Sequence, residues 1–221
     1  LKAQAEHVDG TFDAIGKLRG QFHYAEKKGY SGVGLYTREE PSDVVTGLGI
    51  AEFDIEGRWI EKRFDKPGRK LSLISVYFPS GTSGEERQAV KFRFLAALAP
   101  HLQALKAERE FILVADVNIA HKEIDIHDPK GNKLNSGFLP EERAWIDEVI
   151  DAGYVDTFRH LHPHTKEAYT YWDLFTHARD RNVGWRIDYF FASSELTKKI
   201  KKAEIHADIY GSDHCPLSIT L

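Results

Sequence analysis

A short apolar run that ends in two polar side chains constrains this chain more than any other stretch. Residues 111–115 read Phe-Ile-Leu-Val-Ala, a pattern that predicts a β-strand buried on both faces. The run leads into Asp116 and Asn118, and residues two apart on a strand point to the same side. A carboxylate and a carboxamide are therefore expected to project together from the end of a rigid strand, which is a common place for a reactive site.

The residues after this strand form a polar loop. Residues 128–138 are rich in Asn, Gly and Ser, which supply amide donors and tight turns. Such a loop suits an oxygen-coordinated metal or a phosphodiester better than an apolar ligand. For Asp116 and Asn118 alone, capping of a local turn would be the better explanation, so the functional interpretation depends on the rest of the chain.

Length and composition allow a single domain over residues 1–221, which is the organisation that we expect. The 221 residues are 42% apolar and 29% charged, which fits one large α/β or two-layer β domain, or at most two small ones. No stretch approaches the roughly 18 unbroken apolar residues of a membrane span. The formal net charge of −4 argues against sequence-independent coating of DNA. It does not exclude a local phosphate site, where a bound metal restores positive potential.

The only cysteine is Cys215. A single thiol excludes an intramolecular disulfide and permits a reducing compartment. We expect Cys215 to be a small buried residue.

Periodicity predicts helices between the strands. Apolar residues between 90 and 105 fall on one helical face, and Pro100 is expected to kink or split that helix. A second helix is predicted to begin at Pro140, a suitable first-turn residue, and to stop at Gly153. Residues 11–19 could form a short helix. Many strands with a few helices suggest a two-sheet sandwich with helices outside.

Reactive groups lie at the ends of several predicted strands. These strand ends carry Tyr77, the pair Asp116 and Asn118, Asp188, and the pair Asp213 and His214. Adjacent residues on a strand face opposite sides, so Asp188 is a better partner for His214 than Asp213 is. A histidine held by a carboxylate stays protonated near neutral pH, which suits a phosphate. Carboxylate and carboxamide oxygens favour Mg²⁺ or Mn²⁺ over zinc, and metal-assisted phosphodiester hydrolysis is then the expected reaction.

A set of motifs, distributed over nearly the whole chain, carries a resemblance to a known family. The motifs are Gly-Tyr-Ser-Gly-Val-Gly (29–34), Tyr-Phe-Pro-Ser-Gly (77–81), Ala-Asp-Val-Asn-Ile-Ala-His (115–121), Pro-Lys-Gly-Asn (129–132), Asn-Ser-Gly-Phe (135–138), Asn-Val-Gly-Trp-Arg-Ile-Asp-Tyr (182–189) and Gly-Ser-Asp-His-Cys-Pro (211–216). Together and in this order they resemble the exonuclease III-type apurinic/apyrimidinic (AP) endonucleases. The wider deoxyribonuclease I-like superfamily shares Asp-x-Asn and a distant Ser-Asp-His, whereas the motifs at 129–132 and 182–189 are more specific to its DNA-repair branch.

The resemblance implies a fold, a reaction and partners. The fold is α/β (α+β), a four-layered α/β sandwich in which two mixed β-sheets are flanked by helices. The reaction is Mg²⁺-dependent incision 5′ to an abasic site, with Mn²⁺ as a substitute, often accompanied by 3′→5′ exonuclease or 3′-phosphodiesterase activity. The implied partner is double-stranded DNA with abasic sites or 3′ ends. No membrane partner is implied, the protein is expected to be a monomer, and the expected location is cytoplasmic, at a bacterial nucleoid, or nuclear.

The resemblance also implies roles for the reactive groups. Asp116 would position and deprotonate the attacking water, and Asn118 would hold the nucleophile and the phosphate. His214, oriented by Asp188, would bind the scissile phosphate, and Tyr77 would assist the leaving group or the transition-state charge. The implied metal-site residues are Asp213, Asp116 and Asn118.

A further group of residues is implied to contact DNA. Asn132 and Asn135 would lie near the flipped abasic sugar. Tyr171, Trp185 and Ile187 would wall its pocket. The remaining implied contacts are Tyr30 and Phe175. Trp59 and Trp145 match no such role and are expected in the core.

The start of the chain departs from the family pattern. Family members begin with a strand bearing a metal-site Asn and a second strand ending in Gln-Glu, whose Glu is the principal metal ligand. Leu1-Lys2-Ala3-Gln4 resembles the residues that come directly after that Gln-Glu in the family, and the chain contains no methionine. Either this sequence is a piece of a longer chain whose N-terminal strands are missing here, or the protein has lost its principal metal ligand. We expect the first, because deleting interior strands of a sandwich would expose sheet edges and core.

Two alternatives to an AP endonuclease remain at this point. One is a superfamily relative acting on inositol phosphates, sphingomyelin or RNA, against which the loop at 129–132 and the aromatic pocket argue. The other is an N-terminally truncated, catalytically impaired DNA-binding fragment.

Overall fold

The helices and strands of the computed structural model, which describes residues 1–8 and 10–221, divide between two units. The first unit comprises Leu1–Phe78 and His101–Ala115, and the second comprises Pro79–Pro100 and Asp116–Leu221. The predicted strand at 111–115 is confirmed, because residues 110–116 are extended. Asp116, its last residue, belongs to the second unit.

The first unit consists mainly of strands. In chain order its elements are α1 (Ala5–Val8), β1 (Ala14–Ile15), β2 (Leu18–His23), β3 (Val33–Thr37), β4 (Asp43–Thr46), α2 (Ala51–Asp54), β5 (Trp59–Lys66), β6 (Arg69–Tyr77), the helix α3 (Glu85–Glu108), which contributes to both units, and β7 (Glu110–Asp116). Strands β1, β2 and β3 form an antiparallel sheet. Strands β4, β5, β6 and β7 are neighbours in that order, and β5 pairs antiparallel with both β4 and β6.

Alternation along these strands explains the core of the first unit. Ser72, Ile74 and Val76 of β6 are buried while the residues between them are only partly so, as expected for a strand with one face on a core. Trp59, at the start of β5, is 1% exposed, which confirms its predicted core position. Burial of each such side chain contributes about 1.5–3 kcal/mol to folding.

The second unit contains shorter elements joined by longer loops. After α3, its elements are α4 (Pro140–Asp151), β8 (Tyr154–Asp156), α5 (Thr157–Leu161), β9 (Tyr171–Trp172), β10 (Gly184–Trp185), β11 (Asp188–Ser193), α6 (Ser194–Thr197), β12 (Lys202–Ile205) and β13 (Leu217–Thr220). Strand β11 pairs antiparallel with β8, β9 with β10, and β12 with β13. The second helix begins at Pro140 as predicted, and Trp145 is buried on it with its indole N–H donating to the Leu95 carbonyl at 2.9 Å.

One helix prediction is wrong and another is wrong in part, for identifiable reasons. Residues 11–19 form β1 and the start of β2 rather than a helix, because Gly16 has a φ of 60° and closes a tight turn between the paired Ile15 and Leu18, a conformation that glycine adopts without strain. The helix α3 continues through Pro100, so the expected split is wrong, and a kink there stays a prediction. The apolar side chains of Leu98 and Leu102 are buried on either side of the proline, and their packing offsets the hydrogen bond that the proline cannot donate.

No helix within residues 1–8 and 10–221 combines the length and the apolar character needed to cross a bilayer.

Candidate active site

A histidine–carboxylate pair lies at the start of β11. The Nδ1 atom of His214 is 2.8 Å from an Oδ atom of Asp188, so the predicted pairing of these two residues is confirmed. Burial of the imidazole lowers its pKa, but the hydrogen bond to Asp188 and the negative charges of Asp188 and Asp116 outweigh burial and raise the pKa of His214 to about 9. At neutral pH the ring is therefore a cation, which suits contact with a phosphate.

Asp116 projects from the end of β7 toward the same pair. One of its carboxylate oxygens accepts the backbone N–H of Asn118 at 3.0 Å. Burial, and then the negative charge of Asp188, raise the pKa of Asp116 to about 7. A carboxylate that titrates near neutral pH is well matched to accepting a proton from water.

Asp116, Asp188 and His214 form a compact group. Each offers one ligand atom, and these atoms lie within 4.8 Å of one another. Two carboxylates held this close repel each other, as the raised pKa of Asp116 reflects, and a bound cation would relieve that repulsion. The carboxylate of Asp116 therefore fits a hard divalent cation, whereas the protonated His214, paired with Asp188, would not coordinate one.

Backbone hydrogen bonds on either side of Asn118 hold the turn that carries this residue. Asn118 has a φ of 56°, in the left-handed region that Asn tolerates better than most residues. The N–H of Val117 donates to the carbonyl of Ile187 at 2.8 Å, and the N–H of Ala120 donates to the carbonyl of Gly137 at 2.8 Å. These bonds fix the direction in which the residues after β7 leave the strand.

Asp213, a predicted metal ligand, is not in the compact group found among the described residues. Its carboxylate accepts the hydroxyl of Ser212 at 3.0 Å. It also lines a cavity of about 290 Å³ together with Trp172 and Tyr210. Its metal role stays a prediction.

The residues predicted to wall the pocket lie together. Ile187 is buried in a cluster against which Tyr171 and Trp185 pack, and whose other members are Ala120, Ile126 and Phe138. Tyr171 also contacts the ring of His214, with centroids 5.0 Å apart. An apolar surface therefore adjoins the charged group of Asp116, Asp188 and His214, and its role in binding a sugar stays a prediction.

The loop that supplies the predicted DNA contacts is organised by its own polar side chains. The side-chain amide of Asn135 donates to the side-chain oxygen of Asn132 at 2.9 Å, and that of Asn132 donates to the carbonyl of Asp128 at 2.9 Å. Phe175 lies in a separate loop, where it is 97% exposed. An aromatic ring so exposed is available to a partner.

Tyr77 and Tyr30 lie in the first unit, where a buried arginine contacts both. Arg58 is 1% exposed; it donates to the Tyr30 hydroxyl at 3.0 Å and to the Tyr77 carbonyl at 2.9 Å, and its guanidinium lies 5.1 Å from the centre of the Tyr77 ring. Arg58 was not identified from the sequence. Its position after a glycine turn resembles that of many surface arginines, so no local signal marked it.

A second buried network was also missed. Arg186, between Trp185 and Asp188, is fully buried and donates to Asp125 at 2.7 Å and to Asp156 at 2.6 Å. These bonds hold the segment that joins β10 to β11. The arginine was visible within the motif at 182–189, but its partners lie far away in sequence.

The fold and the site together define a hydrolytic enzyme, and comparisons with known proteins agree. Residues 2–214 match the endonuclease/exonuclease/phosphatase family. An exodeoxyribonuclease of Bacillus subtilis (strain 168) is 41% identical over 200 residues, which are 90% of this chain and 78% of that protein. The DNA repair nuclease APEX1 of Danio rerio is 39% identical over 196 residues, 89% of this chain and 62% of that protein.

A solved structure gives the same result. An AP endonuclease from Archaeoglobus fulgidus aligns with a TM-score of 0.82 at 27% identity, covering 92% of this chain and 79% of its own. The predicted mixed α/β class is thereby confirmed. The chain belongs to the endonuclease/exonuclease/phosphatase family, in the branch of the exodeoxyribonucleases and AP endonucleases, and it is a phosphodiesterase.

Proposed function

We propose that this protein hydrolyses the phosphodiester bond 5′ to an abasic site in duplex DNA, with Mg²⁺ as cofactor. The observation that carries the proposal is the compact group of Asp116, Asp188 and His214 beside an apolar surface that includes Trp185. The names of the relatives, which include a DNA repair nuclease and an exodeoxyribonuclease, support DNA as the substrate.

Each member of the group has a distinct task. Asp116 accepts a proton from the attacking water, for which a pKa of about 7 is suitable. His214 carries a positive charge that Asp188 stabilises through Nδ1, and its Nε2–H donates to a non-bridging oxygen of the phosphate as negative charge develops there. Asn118 orients the water or the phosphate through its side-chain amide. Tyr77 is assigned to the leaving group from the resemblance alone.

The metal would be held mainly by carboxylate oxygen. Of the residues in this sequence, Asp116 fits this role best, with Asn118 and Asp213 as the other predicted ligands; the resemblance assigns the principal ligand to a Glu of the family's N-terminal strands. Bound Mg²⁺ would stabilise charge on the phosphate and acidify water, and Mn²⁺ would substitute because it accepts the same oxygen ligands.

The apolar surface is proposed to select the substrate. Trp185, Tyr171 and Ile187 form a wall suited to a sugar that lacks its base. A flipped nucleotide that retains its base is larger and would be excluded. Asn132 and Asn135, on the neighbouring polar loop, and the exposed Phe175 are proposed to contact the DNA backbone and bases.

Other features of the proposal rest on the comparisons. A 3′→5′ exonuclease activity is included because a relative is named an exodeoxyribonuclease. The family match runs over residues 2–214, which supports a single nuclease domain. We propose that the protein acts as a monomer on chromosomal DNA, in a nucleoid or a nucleus.

A nicking assay tests the proposed substrate. Duplexes with one abasic site, duplexes without one, and recessed 3′ ends are incubated with the protein in Mg²⁺ or in EDTA. We expect cutting of the abasic duplex to be fastest and to need Mg²⁺. Equal rates on abasic and intact duplexes, or full activity in EDTA, would contradict the proposal.

A further inference from the structure

Two fully buried charged side chains lie close to the backbone of Asn118. Lys91 belongs to α3 and Glu142 to α4, and both side chains are 0% exposed. The Nζ of Lys91 is 2.6 Å from an Oε atom of Glu142 and donates to the backbone carbonyl of Asn118 at 2.7 Å. Burying an isolated charge is strongly unfavourable, so these groups depend on one another and on the backbone atoms that they bind.

Glu142 connects this pair to the loop before α4. One of its oxygens accepts the backbone N–H of Gly137 at 2.6 Å and that of Leu139 at 3.1 Å. The other oxygen accepts the side-chain amide of Gln88 at 3.0 Å. The carboxylate therefore fixes both the first turn of α4 and the loop that precedes it.

The same loop packs against the turn at Asn118. The N–H of Ala120 donates to the Gly137 carbonyl at 2.8 Å. A Cβ atom on Gly137 would lie 3.0 Å from the Asn118 carbonyl oxygen and 3.1 Å from the ring of Trp185, so glycine is needed for this close approach. Movement of the pair would consequently move the Asn118 turn and the pocket wall together.

We propose that Lys91 and Glu142 are positioning residues for phosphodiester hydrolysis. Lys91 fixes the left-handed turn at Asn118, and Glu142 fixes the loop at Gly137. Together they set the distance between the Asn118 turn and Trp185 of the apolar surface. The assignment rests on the proposed function of this site. If the pair merely joined α3 to α4, activity would track the stability of the protein.

Two variants separate these roles. Lys91→Met leaves Glu142 charged without its partner, and the melting temperature of the protein should fall markedly. The double variant Lys91→Met/Glu142→Gln removes both charges and keeps an oxygen for the Gly137 and Leu139 amides. It should regain most of the melting temperature, yet the hydrogen bond from Lys91 to the Asn118 carbonyl is lost.

The deciding readout is the single-turnover rate on abasic duplex, measured well below each melting temperature. We expect the double variant to stay roughly 10–100-fold slower than the parent, because small misplacements of reacting groups have effects of this size. Its dissociation constant for the duplex in EDTA should stay within about threefold of the parent's, because both side chains are fully buried. Recovery of both melting temperature and rate would overturn the positioning role.

A matched control and a milder variant complete the test. Glu61→Gln alters another buried carboxylate, which binds the Ser72 hydroxyl at 2.6 Å in the first unit; it should lower the melting temperature and keep the parent's rate. If the double variant does not fold, the single-turnover rate of Glu142→Asp tests the positioning role instead. This variant keeps both charges, but its shorter side chain withdraws the oxygen from the Gly137 amide. A rate equal to the parent's would then overturn the positioning role, and a rate at least about tenfold lower would support it.

The proposed function is judged separately, on the parent protein. A parent that leaves abasic duplex uncut in Mg²⁺ contradicts the function. The positioning role is then judged by amide hydrogen exchange at Ala120 and Gly137. Both amides should exchange faster in the folded double variant than in Glu61→Gln, and equal exchange would overturn it.

Discussion

Replacing Asp188 with Asn tests the electrostatic coupling in the candidate active site. Asp188 holds the Nδ1 of His214 at 2.8 Å and is the main reason that the pKa of His214 rises to about 9 in spite of burial. Asn has the same size and still accepts a hydrogen bond, but it carries no charge. We expect the pKa of His214 to fall to about 6.5 or lower in Asp188→Asn, because burial then dominates.

The pKa values of His214 in the parent and in Asp188→Asn set the size of the expected loss of rate. At pH 7.5 a histidine with a pKa of about 9 is protonated in roughly 97% of molecules, and one with a pKa of about 6.5 in roughly 9%. The rate at this pH should therefore fall about tenfold from the lost charge alone. In metal-free protein the pKa of Asp116 should fall as well, since the charge of Asp188 helps to raise it. The alkaline limb of the pH–rate profile in Mg²⁺ should move to lower pH.

Single-turnover rates between about pH 5.5 and 10 at saturating Mg²⁺ give that profile. Nitrogen NMR of His214 in metal-free protein gives the pKa directly. Asp147→Asn is the matched control, because Asp147 contacts His121 at the same 2.8 Å distance outside the compact group. The control should keep the parent's profile. An alkaline limb that stays near pH 9 in Asp188→Asn would refute the coupling.

The remaining predictions concern catalysis, selectivity and stability. Asp116→Asn should slow incision roughly 10²–10⁴-fold. Because folding raises the pKa of Asp116 to about 7, the contribution of this carboxyl group to stability is complete below about pH 3.8 and is lost as pH rises through 7. Without divalent metal, Asp116→Asn should therefore be more stable to urea than the parent at pH 8 but not at pH 4. Trp185→Ala should lower the ratio of abasic to intact cutting rates, and an unchanged ratio would place the pocket elsewhere. Arg186→Met leaves the carboxylates of Asp125 and Asp156 without their shared partner and should lower the free energy of unfolding by about 3–5 kcal/mol; a loss below about 1 kcal/mol in urea titrations would contradict the role given to this network.

The strand at 110–116 and its polar end could be predicted because local pattern determines them. A run of apolar residues identifies a buried strand, and the two-residue spacing of Asp116 and Asn118 needs no knowledge of distant contacts. Strand alternation also favoured Asp188 over Asp213 as the partner of His214, and the structure confirms that choice. Each of these inferences uses only the residue pattern within a single strand.

The parts that could not be predicted depend on contacts between distant residues. Lys91 lies within an apolar helical pattern and has the sequence appearance of a solvent-facing lysine, until folding places Glu142 beside it. Arg186 has a partner 61 residues away. The continuation of α3 through Pro100 likewise reflects packing on both sides of the proline rather than the local preference of the sequence.

The position of the cut tests the central claim most directly. A duplex with a single abasic site and a 5′ label on the damaged strand is incubated with the protein and Mg²⁺, and the products are resolved at single-nucleotide length. We predict one cut immediately 5′ to the abasic site, leaving a 3′-hydroxyl, and its loss in folded His214→Ala protein. An uncut strand, a cut on the 3′ side, or an unchanged cut by His214→Ala would contradict the assignment of this site.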